Sequence, residues 1–191
     1  MHRKYTLVLD LDETLVHFNQ RKRTYSPRPF CLRFLSEMQK HFELVVFTAG
    51  LKDYADWILN DLDKQGNIKF RLYRDSCRFR HGAYIKDLSL LGRDMAKTII
   101  VDNIMDNYQL QPENGINILS WFENPHDKEL LTLEPILRNF VLNDVLDVRE
   151  MIKQYFRQPV RVPVSVANPK KKHLLESPIS KQRHLSKVNY L

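Results

Sequence analysis

Asp10-Leu11-Asp12-Glu13-Thr14-Leu15 follows directly on the apolar run Tyr5-Thr6-Leu7-Val8-Leu9. Two carboxylates two residues apart in an extended chain lie on one side of it. At that spacing their charges repel, so one stays protonated unless a cation bridges them. A reaction that needs one ionised carboxylate, one protonated carboxylate and a metal would use this arrangement. Phosphoryl transfer to an aspartate nucleophile is such a reaction. Taken alone, the hexapeptide is also compatible with a solvated acidic turn in which Asp12 or Thr14 caps a helix. The same pattern recurs further along the chain, and that weighs against the turn.

Three apolar runs end in a reactive polar residue. Residues 5–9 run into Asp10, residues 44–47 into Thr48-Ala49-Gly50, and residues 98–101 into Asp102-Asn103. Lys86 follows the short apolar segment Ala83-Tyr84-Ile85. Open α/β sheets bind ligands beyond the carboxyl ends of their strands, so Asp10, Thr48, Asp102 and Asn103 are expected along one sheet edge. With Lys86 they provide carboxylates, a hydroxyl, an ammonium and an Asp-Asn pair. That set suits a phosphate held beside a hard cation such as Mg²⁺. Singly, each has a plainer reading: Thr48 as a strand-end hydroxyl, Lys86 as a surface lysine, Asp102-Asn103 as a turn.

The elements that must carry these residues follow from periodicity. Residues 69–73 and 116–119 read as two more strands, and several runs are continuously apolar, as in strands buried on both faces. Phe30, Phe34, Leu35, Met38 and Phe42 keep helical spacing, as do Tyr54, Ile58, Leu59 and Leu62. Between Asp127 and Phe156 a stripe that includes Leu130, Leu137, Phe140, Leu146 and Ile152 predicts two helices broken around Asn143-Asp144. Alternating strands and helices imply an α/β domain with a central, mostly parallel sheet flanked by helices.

The chain has 191 residues, 43% of them hydrophobic, which suits one domain with a substantial core. Its longest nearly apolar stretch, residues 44–51, is too short to span a bilayer, so no membrane span is expected. The first strand begins almost at Met1, which is expected to leave no room for a signal peptide. Cys31 and Cys77 form neither a disulfide framework nor a metal-ligand spacing, pointing to a reducing compartment. The net charge of +7 is unevenly placed: residues 1–156 hold 22 Lys and Arg against 22 Asp and Glu, and residues 157–191 hold eight against one. The chain thus divides into a neutral domain, 1–156, and a basic tail, 157–191, expected to be disordered. The run Lys170-Lys171-Lys172 is similar to a nuclear-localisation signal, consistent with a nuclear or cytoplasmic protein. No aromatic residues interleave the basic run, so nucleic acid is not expected as a substrate.

Over residues 4–142 the sequence resembles the haloacid dehalogenase superfamily and, within it, the FCP/SCP-type protein phosphatases. The matching segments are residues 8–17, 46–50, 72–77, 84–89 and 100–103, with Ser120-Trp121-Phe122. The resemblance implies a Rossmannoid domain without a large cap and a Mg²⁺-dependent phosphatase. Its substrates would be phosphoserine or phosphothreonine in the RNA polymerase II C-terminal tail or another phosphoprotein. It further implies Asp10 as nucleophile, Asp12 as general acid and base, and Thr48 and Lys86 as phosphate ligands. Asp10, the Asp12 carbonyl and Asn103 would ligate the metal, with Asp102 and Thr14 in support. Leu51, Tyr54 and Arg74 are candidate substrate contacts. Relatives of the SCP type carry a longer β-hairpin after the first motif. Here residues 17–29 are short and basic, so the hairpin is expected to be absent or much reduced. Two other functions fit the fold: a non-catalytic peptide-docking module, as in the related mitochondrial import receptor, and a small-molecule phosphatase.

Overall fold

A computed structural model of the chain describes residues 5–156. The basic tail, with Lys170-Lys171-Lys172, lies outside the described residues. In chain order the first elements are strands β1 (Tyr5–Leu9), β2 (Val16–Asn19) and β3 (Thr24–Pro27), helix α1 (Cys31–Met38) and strand β4 (Phe42–Phe47). Helix α2 (Lys52–Leu62) and strands β5 (Ile68–Leu72), β6 (Arg78–Arg80) and β7 (Ala83–Ile85) follow. Strands β8 (Thr98–Asp102) and β9 (Gly115–Asn117) then lead to helices α3 (Glu129–Leu142) and α4 (Val148–Phe156).

Five strands form one sheet in the order β5-β4-β1-β8-β9, every neighbouring pair parallel. From β1 the chain winds outward through β4 and β5, then returns to place β8 on the other side of β1. The β1/β8 boundary is therefore the topological switch point, where the carboxyl ends open a crevice. Side chains alternate between the two faces. Leu7, Leu9, Leu44, Val46, Ile99 and Val101 belong to the larger core cluster, and all four helices contribute side chains to it. Val8, Val45, Phe47 and Ile100 point the other way and pack with Leu88 and Tyr108. Each fully buried side chain of this size contributes about 1.5–3 kcal/mol, so the sheet's continuous apolar runs supply a large part of the core. On the second face the cover is short turns and the segment around Cys77, with no α-helix among the described residues.

Both short helices bury part of the stripe their periodicity predicts: Phe34, Leu35 and Met38 in α1, joined by Cys31, and Ile58, Leu59 and Leu62 in α2, joined by Ala55. Phe30, expected on the first stripe, precedes α1 and is exposed, because its backbone is left-handed there and the helix starts one residue later. The break between α3 and α4 falls at the expected Asn143-Asp144, with Asp144 in the left-handed region at φ 46°. Two further expectations are corrected. Phe42 belongs to β4 and not to the first helix; it pairs with Tyr5 in the sheet, their rings edge to face. Its spacing from Met38 is coincidental, because α1 has already ended. Leu146 lies in the α3–α4 connection and is 84% exposed, outside the helical stripe. The hairpin after the first motif is present, as β2 paired antiparallel with β3, though only four residues per strand. A second small hairpin pairs β6 antiparallel with β7. No helix among the described residues is long and apolar enough to cross a membrane.

Candidate active site

Asp10 leaves the end of β1 with its backbone N–H bonded to the Val101 carbonyl of β8 at 3.0 Å. Asp102 ends β8 itself. The two carboxylates thus stand on adjacent strands at the switch point, and Lys86 bridges them. Its Nζ donates to Asp10 Oδ1 at 2.5 Å and to Asp102 Oδ2 at 2.6 Å. Lys86 and Asp102 are fully buried and Asp10 nearly so. A buried ammonium persists only when paired and hydrogen-bonded, as here. The arrangement also carries one negative charge too many. Burial pushes the Asp10 carboxyl up to about 7; Lys86 pulls it back, while Asp102 and Asp12 push it higher. Burial disfavours the Lys86 ammonium, but Asp10 and Asp102 outweigh it and its pKa is raised.

A divalent cation would neutralise that excess charge. Asp10 Oδ2 lies 3.1 Å and Asn103 Oδ1 3.3 Å from the same Thr14 hydroxyl, so the two oxygens converge. Asn103 is held by donation from its Nδ2 to Ser120 Oγ at 2.9 Å. No group of three or more His, Cys, Asp or Glu side chains among the described residues makes a metal cage. The donors are hard oxygens, one carboxylate and one amide, which fits Mg²⁺ completed by waters and not Zn²⁺. Asp102 is occupied otherwise: besides Lys86, it accepts from the Ile104 N–H at 2.8 Å and Asn107 Nδ2 at 3.0 Å.

Above this buried layer lies an open cleft of about 370 Å³ lined by Asp10, Asp12, Thr48, Asn103 and their neighbours. The Asp12 carboxylate accepts a hydrogen bond from the Tyr54 hydroxyl. Burial and Asp12 raise the Tyr54 pKa, so the phenol stays a donor. Thr48 Oγ accepts the Gly50 N–H at 2.9 Å and lies 3.5 Å from Asp12 Oδ2. A side chain at Gly50 would come within 3.1 Å of the Thr48 hydroxyl and 3.2 Å of the Tyr54 ring, which favours glycine there. Leu51 is exposed at the rim, and Arg74 lines the cleft with Nε bonded to the Ala49 carbonyl at 2.6 Å. Every candidate site residue named from the sequence is therefore brought to this one place. A larger hollow of about 700 Å³ near α1 and the end of α2 contains none of them.

Three neighbours carry no role in the sequence reading: Asn107, Arg28 and Ser120, the last named there only within a matching segment. Arg28 is buried, and all of its N–H directions are used. Its Nε and Nη2 grip the Asp127 carboxylate, both at 2.8 Å. Nη2 also donates to the Leu119 carbonyl at 2.9 Å, and Nη1 to the Thr14 carbonyl at 3.2 Å and the Glu13 carbonyl at 3.5 Å. Glu13 sits at φ 58°, a strained value for a residue with a side chain. Its carbonyl also accepts the Trp121 N–H at 2.8 Å. Arg28 thus ties the loop bearing Asp12 and Thr14 to the segment that bears Ser120. In the sequence nothing distinguishes it from Arg21 or Arg23.

A parallel α/β sheet with this acidic pair, hydroxyl, lysine and Asp-Asn pair at its carboxyl edge is of the haloacid dehalogenase type. The chain belongs to the NLI interacting factor-like phosphatase family, whose model matches residues 5–149. CTD small phosphatase-like protein 2 of Dictyostelium discoideum is 44% identical over 172 residues, covering 81% of this chain and 30% of that protein. The human carboxy-terminal domain RNA polymerase II polypeptide A small phosphatase 2 is 42% identical over 148 residues, covering 68% of this chain and 55% of that protein. The chain therefore spans only part of these curated relatives. Fission yeast Fcp1, an RNA polymerase II CTD phosphatase solved with beryllium fluoride, shares the fold with a TM-score of 0.52 at 17% identity. That match covers 79% of this chain and 54% of the other.

Proposed function

We propose that the chain hydrolyses phosphoserine or phosphothreonine in proteins through an aspartyl-phosphate. One observation carries this: Asp10, Lys86 and Asp102 form a buried, fully bonded unit beneath an open cleft that also holds Asp12 and Thr48. In the first step an Asp10 oxygen attacks phosphorus. The bond to the serine oxygen breaks as Asp12 protonates it. In the second step Asp12, now a carboxylate, takes a proton from water; the water oxygen attacks phosphorus and the bond to Asp10 breaks. Two carboxylates with different surroundings thus take two roles. The Tyr54 hydroxyl orients Asp12. Lys86 and the Thr48 hydroxyl donate to the phosphoryl oxygens, where charge spreads in the transition state. Asp102 holds Lys86 in place.

Asp10, Asn103 and the Asp12 carbonyl would hold Mg²⁺. Bound there, it would neutralise charge on the nucleophile and the transferring group. Activity should accordingly vanish in EDTA and return with Mg²⁺; full activity in a metal-free preparation would refute this ligand set.

The open cleft, with no cap domain among the described residues, favours a phosphate on a macromolecule over an enclosed metabolite. A phosphorylated RNA polymerase II tail is one such substrate. The hairpin supports it by presenting Phe18 and Tyr25 beside Tyr54 and Trp57, an aromatic wall next to the cleft. The intact buried unit argues against a purely docking role. A nuclear or cytoplasmic location goes with this function. The test is phosphate release from phosphopeptides and sugar phosphates, with and without Mg²⁺. Peptides should be hydrolysed and sugar phosphates spared; the reverse preference would replace this function with small-molecule hydrolysis.

A further inference from the structure

Two short hairpins root at the cleft, and both end in basic turns. β2 starts two residues after Thr14, and its Phe18 ring meets Tyr54 edge on, centroids 5.4 Å apart. The turn that follows, Gln20-Arg21-Lys22-Arg23, is fully exposed. β7 ends immediately before Lys86. Its Tyr84 ring lies 5.0 Å under the guanidinium of Arg74, a cleft residue, and packs on Phe79 at 4.9 Å. The turn of this second hairpin exposes Arg80 and His81.

Exposed basic turns are often merely solvated. Here their placement argues otherwise. Arg21, Lys22, Arg23 and Arg80 have no acidic partner among the described residues. Lys69, Lys128 and Lys153 are also exposed without an ion pair among them, so pairing alone does not single the turns out. Position does: three of the four cations share one turn, and both hairpins begin beside the cleft. From root to turn is four residues of strand in β2 and three in β7, about 13 and 10 Å. An extended peptide covers such spans in about three or four residues.

We propose that the two turns recognise anionic side chains about three or four residues from the phosphorylated residue, so that the preferred substrates are acidic phosphopeptides. This rests on the phosphatase function above. It adds a selectivity that the buried unit cannot supply, because that unit contacts only the phosphate.

The experiment uses the full chain and phosphoserine peptides identical except at the third position on each side, which carries Asp, a second phosphoserine, Ala or Lys. The kcat/KM for the Asp peptide should exceed that for the Ala peptide about tenfold at low ionic strength, through KM, and the gap should close near 1 M salt. The phosphoserine-flanked peptide should behave like the Asp peptide or better, and the Lys peptide should be poorest. A quadruple variant, Arg21→Gln, Lys22→Gln, Arg23→Gln and Arg80→Gln, should abolish the preference and leave aryl phosphate hydrolysis unchanged. Equal rates on the Asp, Ala and Lys peptides would overturn the proposal. So would a preference that survives in the variant, which would move the recognition to the basic tail. If neither peptide nor aryl phosphate is hydrolysed, the phosphatase function fails by itself. Fluorescence anisotropy with the same peptides then decides docking: tighter binding of the Asp peptide, lost in the variant, supports it, and equal binding overturns it.

Discussion

Asp10→Asn should abolish phosphate release while the fold survives. The amide keeps the size of the carboxylate but cannot form the covalent intermediate, so the rate should fall on the order of 10³-fold or more. The buried unit tells what happens to stability. Burial, with Asp102 and Asp12 adding to it, raises the Asp10 pKa to about 7 against Lys86. An acid whose folded pKa is raised contributes stability below its unfolded value near 4, and that contribution is lost as pH rises towards 7. Without divalent cation, the parent protein at pH 8 carries this strain and the asparagine variant does not. Its thermal midpoint should equal or exceed the parent's under those conditions. A folded Asp10→Asn protein with near-normal turnover would refute the covalent route, whatever its stability.

Arg28→Ala should be the most damaging change outside the reacting groups. It strands Asp127, of which 12% is exposed, and leaves the Thr14 and Leu119 carbonyls without their donor. Removing one partner of a buried ion pair costs about 3–5 kcal/mol. For a domain of this size that lowers the thermal midpoint by roughly 6–20 °C. Arg28→Lys should recover only part, since a single ammonium cannot fork to a carboxylate and reach the carbonyls as well. In the lysine variant kcat should fall more than KM rises, because the loop bearing Asp12 loses its support while Thr48 and Lys86, the proposed phosphate ligands, stay in place. Lys64→Ala, at a surface pair with Asp61, is the control and should leave the midpoint unchanged. A midpoint within a degree or two of the parent's in Arg28→Ala would show that the buried fork contributes little.

The residues of the candidate site were legible because their signals are local. Asp10, Thr48 and Asp102-Asn103 each stop a continuously apolar run, and parallel strands align their carboxyl ends, so strand period alone placed them on one edge. The helical stripes of α1 and α2 and the break at Asn143-Asp144 were legible for the same reason. Other features depend on partners distant along the chain. Arg28 meets Asp127 across 99 residues, and Tyr54 meets Asp12 across 42. Phe42 fits a helix by spacing and a strand by its pairing with Tyr5; the pairing prevails because it completes the sheet. The β2–β3 hairpin lacked an apolar run to announce it, since its register comes from hydrogen bonds between its own strands and its half-buried aromatics pack on Trp57 of α2. Hydrophobic periodicity reports that a face will be buried but not what will cover it. The identity of a long-range partner, the pairing of a buried charge and the placement of two basic turns beside the cleft were therefore decided only when the chain closed on itself.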